Sequence, residues 1–171
     1  ILRAAELLLP IAHSHDVAFL MNDDPGLAAE AGCDGVHVGQ EDASYQDARA
    51  MLGDEATVGV TCHGSVDLAM TAADAGADYV AFGAFFPSVT KDAKGGADAD
   101  ILEFWNTATI VPSVAIGGIT PENCAPLVSA GANFLAVVSA VWAHPEADGG
   151  PAAAVQKFAE AIAQAEIEKQ A

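Results

Sequence analysis

One short event recurs three times along this chain: Ala31-Gly32-Cys33-Asp34-Gly35-Val36, Ala75-Gly76-Ala77-Asp78-Tyr79-Val80 and Ala130-Gly131-Ala132-Asn133-Phe134-Leu135. In each, an alanine-rich helical stretch stops at a glycine able to take the left-handed conformation that closes a helix, and an apolar run follows at once. Each event is a helix handing over to a strand. The copies stand 44 and 55 residues apart, about two strand-helix units each, so they mark alternation rather than a solenoid repeat.

Reading apolar runs as strands predicts residues 17–21, 35–38, 57–61, 79–82, 110–116 and 134–138. Most lack polar alternation, as expected of strands buried on both faces. Helical patterns lie between them at about 25–31, 43–52, 65–75, 98–106 and 121–130, with a last helix at about 151–168 and an apolar helical start at Ile1 to Leu9. Ser65 precedes one helix, and Thr120-Pro121-Glu122 offers a cap, a first-turn proline and an acid in order. The fold class is therefore α/β. Six parallel strands with right-handed crossovers suit either an open doubly wound sheet or most of a (β/α)8 TIM barrel. The barrel is the preferred reading, with the first one or two strands missing upstream of Ile1 and residues 1–171 forming a single partial barrel domain.

Composition narrows the partners. The 52% hydrophobic content suffices for one buried core, yet no uninterrupted apolar stretch is long enough to span a bilayer and no secretion signal opens the chain. A cytoplasmic location is expected. Net charge is −18, with 24 acids against six lysines and arginines, which excludes nucleic acid and anionic membranes as natural partners. An anionic ligand entering this field needs a cation or a cluster of backbone donors to hold it. Cys33, Cys62 and Cys124 are odd in number and lack CxxC spacing, so they are read as small packing residues rather than disulfides or zinc ligands.

The chemistry-bearing motifs fall just after strands, the rim on which parallel barrels build their sites. Asn22-Asp23 and Gln40-Glu41-Asp42 follow consecutive strands, so Asp23 and Asp42 offer a pair of hard oxygen ligands suited to magnesium; taken singly, either acid reads as a helix cap. Ser88-Val89-Thr90-Lys91 puts two hydroxyls and a scarce lysine after another strand, a pattern for phosphate or diphosphate. Gly117-Gly118 and Val138-Ser139 follow neighbouring strands, where backbone amides commonly hold phosphate. His63 also stands after a strand and has both a ligand-binding and a structural reading. His13, His15, His37 and His144 show no ligand spacing and are read as incidental. No nucleophile elbow, Walker loop or zinc-binding His pair occurs.

Taken in order, Asn22-Asp23, Val36-His37-Val38-Gly39-Gln40-Glu41-Asp42, Gly59-Val60-Thr61-Cys62-His63, Pro87-Ser88-Val89-Thr90-Lys91, Ala115-Ile116-Gly117-Gly118-Ile119-Thr120 and Val137-Val138-Ser139 resemble the motif series of thiamine-phosphate synthases. The resemblance runs from about residue 17 to 141. It implies a transferase of thiamine biosynthesis that joins hydroxymethylpyrimidine diphosphate to hydroxyethylthiazole phosphate, releasing diphosphate. By the same resemblance, Asp23 and Asp42 bind magnesium. Asn22, Thr61 and Lys91 contact the aminopyrimidine diphosphate, with Thr61 and Lys91 acting in catalysis. Ser88, Val89, Thr90, Gly118, Val138 and Ser139 hold the thiazole phosphate. The expected partners are small phosphorylated substrates, and a homo-oligomer is left open.

Three departures from the family pattern stand out. The family's Gln-x-Arg-x-Lys string has no counterpart here, Ala84 replaces a usual proline, and Asp24 adds negative charge beside the expected metal pair. The nearest rival reading is a thiazole tautomerase, a related barrel needing neither a metal pair nor a diphosphate grip. A non-catalytic phosphate-binding barrel is the alternative from outside the enzymes.

Overall fold

The structure is a computed structural model and describes residues 1–87 and 96–170. It separates into two compact units, Ile1–Cys62 with Asp67–Val80, and His63–Val66 with Ala81–Ala171.

The first unit opens with α1 (Leu2–Ser14) and then alternates: β1 (Leu20–Asn22), α2 (Pro25–Ala31), β2 (Gly35–Val38), α3 (Tyr45–Leu52), β3 (Thr57–His63), α4 (Val66–Ala75) and β4 (Tyr79–Phe82). Strands β1, β2 and β3 are parallel and in register, with Asn22 beside His37 and His37 beside Gly59. Local chemistry sets the joints. The Asp24 side chain accepts the Leu27 N–H at 3.0 Å and Pro25 fills the first helical turn of α2, while Gly32 closes that helix at φ 69°. Ser44 caps α3 in the same way through the Asp47 N–H.

Strands β2 and β3 each carry one apolar face. Val36, Val38, Val58, Val60 and Cys62 are buried, and Ala28 and Ala48 of α2 and α3 join them in the core. The opposite face carries His37, Gly59 and Thr61, since residues two apart along a strand point the same way. The expectation of strands apolar on both faces thus holds for only one face of β2 and β3, because the other is polar and half-buried at His37 and Thr61.

The second unit holds the end of β4, then α5 (Asp100–Ala108), β5 (Ser113–Ile116), α6 (Ala125–Ser129), β6 (Phe134–Ala136), α7 (Ser139–Trp142), a 3-10 turn at Glu146–Asp148 and α8 (Gly150–Gln170). Strands β5 and β6 are parallel, with Ile116 beside Ala136. Trp105 of α5 is fully buried, edge-on to Phe82, and its indole N–H donates to the Val111 carbonyl at 2.7 Å. Helix α8 packs on α6 and α7.

The strand order is β1-β2-β3-β4-β5-β6. An open doubly wound sheet reverses direction at a switch point and so breaks chain order, whereas strictly sequential order is what a barrel requires. Among the described residues there are six strands, not eight.

Three strand expectations shift at their edges. Residues 17–19 drop out of the first strand because the Val17 N–H is taken by the Ala12 carbonyl, extending the end of α1. Residues 110–112 drop out of the fifth, because Pro112 has no N–H for the ladder and Ile110 stands 100% exposed. Val138 leaves the sixth to cap α7, a helix the apolar pattern did not reveal. The helix expected at 121–130 shortens to α6, since residues 121–123 form a turn closed by N–H groups of Asn123 and Cys124 on the Thr120 carbonyl.

Candidate functional site

In the first unit, the ends of β1 and β2 display the two carboxylates. The Asp23 N–H donates to the His37 carbonyl at 2.8 Å, continuing the ladder one residue past β1, and Asp23 then takes φ 70°. That left-handed geometry is uncommon outside glycine but accessible to aspartate. It also divides labour between neighbours: Asp24 caps α2, while Asp23 carries an exposed carboxylate. Asp24, expected to add charge beside the metal pair, also has one oxygen committed to a helix N-terminus. Asp42 is exposed after β2, and its Oδ2 accepts the Gly39 N–H at 2.8 Å. A Cβ at residue 39 would crowd that same oxygen, so glycine permits the contact.

Two exposed carboxylates at adjoining strand ends fit magnesium, which takes one or two protein carboxylates and fills its other positions with water and phosphate oxygens. No group of three or more metal-binding side chains occurs among the described residues.

Thr61 lies on the polar face of β3, half-buried. Its Oγ1 is 2.7 Å from His37 Nε2, and His37 Nδ1 is 3.0 Å from the Tyr79 hydroxyl. The Gln40 amide donates to the Thr61 carbonyl at 2.6 Å. By register, Asn22 and His37 share the face that carries Thr61, so the expected pyrimidine contacts Asn22 and Thr61 flank a histidine on one surface. His37, read from spacing as incidental, is bonded to Thr61, an expected site residue. Spacing could not reveal it, because His37 and Thr61 meet only once β2 and β3 are set in register. Tyr79 packs over Gly59, where any Cβ would collide with its ring, and burial pushes its hydroxyl up to about 12.

In the second unit, Gly117 (φ 102°) and Gly118 (φ 63°) turn the chain after β5. The Phe85 and Phe86 N–H groups donate to the carbonyls of Ile116 and Gly117, and a Cβ at Gly118 would strike the Pro87 and Phe86 carbonyls. Asn123 braces the turn from the other side, accepting the Thr120 N–H at 2.8 Å and donating to the Gly118 carbonyl at 3.0 Å. Val138 and Ser139 are exposed after β6, whose end is paired with that of β5, so the expected phosphate residues Gly118, Val138 and Ser139 do follow neighbouring strands. Ser88, Val89, Thr90 and Lys91 lie outside the described residues.

Other expectations resolve simply. Cys62 and Cys124 are buried and free, and Cys33 is half-buried and free. Burial pushes the Cys62 thiol up to about 12, which keeps it protonated and unreactive at neutral pH. His63 ends β3 at φ 51°, and its carbonyl accepts the Gly83 N–H. No helix among the described residues is long and apolar enough to cross a membrane.

The sequence pattern of a family described as thiamine monophosphate synthase matches residues 1–141. The thiamine-phosphate synthase of Rhodospirillum centenum is 60% identical over 158 residues, covering 92% of this chain and 75% of that protein. That of Erythrobacter litoralis is 57% identical over 166 residues, covering 95% and 75%. Among solved structures, a thiamine phosphate pyrophosphorylase from Pyrococcus furiosus superposes with a TM-score of 0.85 at 25% identity, over 96% of this chain and 76% of that one. With a family pattern spanning most of its length and relatives this similar, the chain belongs to the thiamine monophosphate synthase family.

Proposed function

We propose that this chain is a thiamine-phosphate synthase that condenses hydroxymethylpyrimidine diphosphate with hydroxyethylthiazole phosphate. The observation that carries the reading is the pair of exposed carboxylates, Asp23 and Asp42, at the ends of adjoining strands in a chain 60% identical to a protein of that name. The thiazole nitrogen supplies the electron pair for the new carbon-nitrogen bond, and the carbon-oxygen bond to diphosphate breaks, its electrons leaving with diphosphate. Nothing is oxidised or reduced, and no protein nucleophile is needed. Cys62, buried and held protonated, is not available as one.

Each unit has its own task in this reading. In the first, Asn22 and Thr61 orient the aminopyrimidine from one strand face. Asp23 and Asp42 hold magnesium, which when bound supplies positive charge to the departing diphosphate. In the second, the Gly118 turn and the Val138-Ser139 segment hold the thiazole phosphate through backbone amides and a hydroxyl. Lys91 neutralises diphosphate, and Ser88, Val89 and Thr90 add contacts to the thiazole phosphate. Orientation of both substrates and fixed counter-charge provide the catalysis. The sequential strand order supports reading the six strands as part of a (β/α)8 barrel, and the phosphorylated metabolites it would use suit a cytoplasmic enzyme.

The deciding experiment incubates the chain with both substrates, with and without magnesium, and measures thiamine phosphate by oxidation to its fluorescent thiochrome. Product that requires magnesium and disappears with a chelator is expected. Absence of product with magnesium present would overturn the reading. Phosphate binding that survives chelation without any turnover would favour a non-catalytic barrel instead.

A further inference from the structure

We infer that Tyr79 and His37 form a hydrogen-bond relay that fixes Thr61 as a hydroxyl donor toward an acceptor nitrogen of the bound heteroaromatic substrate. The inference rests on the reading of Thr61 as a pyrimidine contact and adds two positioning residues to it.

The polarity of the relay follows from the end that has no choice. Tyr79 is half-buried, its hydroxyl stays protonated through the physiological range, and among the described residues His37 Nδ1 is its hydrogen-bond partner at 3.0 Å. Were Nδ1 the donor, the phenol proton would be left without a protein acceptor at a part-buried contact among the described residues, which proteins tend to avoid. The phenol therefore donates, and Nδ1 accepts. A neutral imidazole with Nδ1 unprotonated carries its proton on Nε2. That proton points at Thr61 Oγ1, 2.7 Å away. Thr61 is thereby made the acceptor in this contact, and its own proton is free to turn toward a ligand. Without the relay, the hydroxyl could equally donate to the imidazole and present only lone pairs to the substrate.

The scaffold is built to hold this arrangement. Gly59 lies in register beside His37 and makes room for the Tyr79 ring, and the His37 and Tyr79 rings lie nearly parallel at 15°, with centroids 5.5 Å apart. The Gln40 amide pins the Thr61 carbonyl, so the backbone carrying the hydroxyl is held as well. A site that hydrogen-bonds a substrate acceptor discriminates strongly against an analogue lacking it, which gives the relay a role in specificity.

Two measurements test the inference in the full chain. Nitrogen-15 spectra of histidine-labelled protein report the tautomer directly: His37 is expected neutral, with Nε2 protonated and Nδ1 not. A neutral His37 protonated on Nδ1 would overturn the relay. The second is a double-mutant cycle on turnover. Thr61→Val and His37→Leu are each expected to lower kcat/KM for the pyrimidine diphosphate by about 10 to 100-fold, with KM for the thiazole phosphate unchanged. The double variant should be no worse than either single one, and His37→Gln, whose amide N–H can stand in for Nε2, should regain most of the loss. Additive losses would mean that His37 acts on stability rather than through Thr61, and would sink the proposal. A wild-type chain that shows the expected tautomer but makes no thiamine phosphate would instead remove the enzyme reading and the substrate role with it.

Discussion

Arg49 reaches Asp78 with a 2.6 Å contact between Nη2 and Oδ2, and that same oxygen accepts the Val58 N–H at 2.7 Å. The other guanidinium nitrogens are also in use. Nη1 donates to the carbonyls of Gly53, Asp54 and Ala56, and Nε donates to the Tyr45 hydroxyl. One of the few cations in a strongly acidic chain is thus spent on tying the end of α3 to the start of β3. Its fork geometry serves carbonyls and a carboxylate at once, which an ammonium cannot imitate. Arg49→Lys is expected to destabilise the protein by about 1–3 kcal/mol and Arg49→Ala by somewhat more, as denaturant unfolding would show. A midpoint unchanged in Arg49→Ala would mean the network is dispensable.

Asp34 responds to acid. Hydrogen bonding from the Phe19 N–H, at 2.6 Å, and from His13 lowers its pKa below the usual carboxylate range. A carboxylate whose folded pKa is depressed contributes stability that is fully present above the unfolded value of about 3.9 and is lost as pH falls through the folded value. Asp34→Asn should therefore be less stable than wild type at pH 6, and the gap should narrow as pH drops below about 4. Thermal melts across that range would reveal a constant gap if the carboxylate charge played no part.

Asp24 separates a cap from a metal effect. Replacing it with alanine removes the side-chain acceptor for the Leu27 N–H, with an expected cost of about 1 kcal/mol. Its magnesium requirement should match wild type, since the neighbouring Asp23 carries the exposed carboxylate. A marked change in the magnesium concentration needed for turnover would show that Asp24 charge bears on the metal after all.

In the proposed reading Asp42 has two duties that substitution can divide. Asparagine keeps an oxygen for the Gly39 N–H but removes the charge, whereas alanine removes both. Both variants should lose about 100-fold or more in turnover while Asp42→Asn unfolds at the wild-type midpoint. Turnover retained in Asp42→Asn would argue against charge as the contribution of this residue.

Elements bounded by glycine and by clear apolar runs were legible in the sequence. The strands at Gly35–Val38 and Tyr79–Phe82 and the helix at Pro25–Ala31 match the structure residue for residue. Where reading failed, backbone hydrogen bonding had overruled hydropathy, as at Val17, held to the end of α1, and at Ile110, ahead of a proline. The site divided along similar lines. Asp23, Asp42, Gly118 and Ser139, the residues used in the proposed reading, could be offered from sequence because each follows a strand within a few residues. The contacts of His37 with Thr61 and Tyr79 were not legible, because they depend on which side chains meet across the sheet, and no spacing within one strand encodes that.

The fit between Gly59 and Tyr79 reaches beyond this one molecule. A ring resting directly on a strand backbone binds two positions, 59 and 79, into a single evolutionary unit. In a lineage where residue 79 shrinks, residue 59 is released to acquire a side chain. In a lineage that keeps the aromatic ring, a side chain at 59 runs into it. Pairs of this kind drift together or stay put together, so the two columns should covary in any broad collection of relatives, with glycine tracking tyrosine.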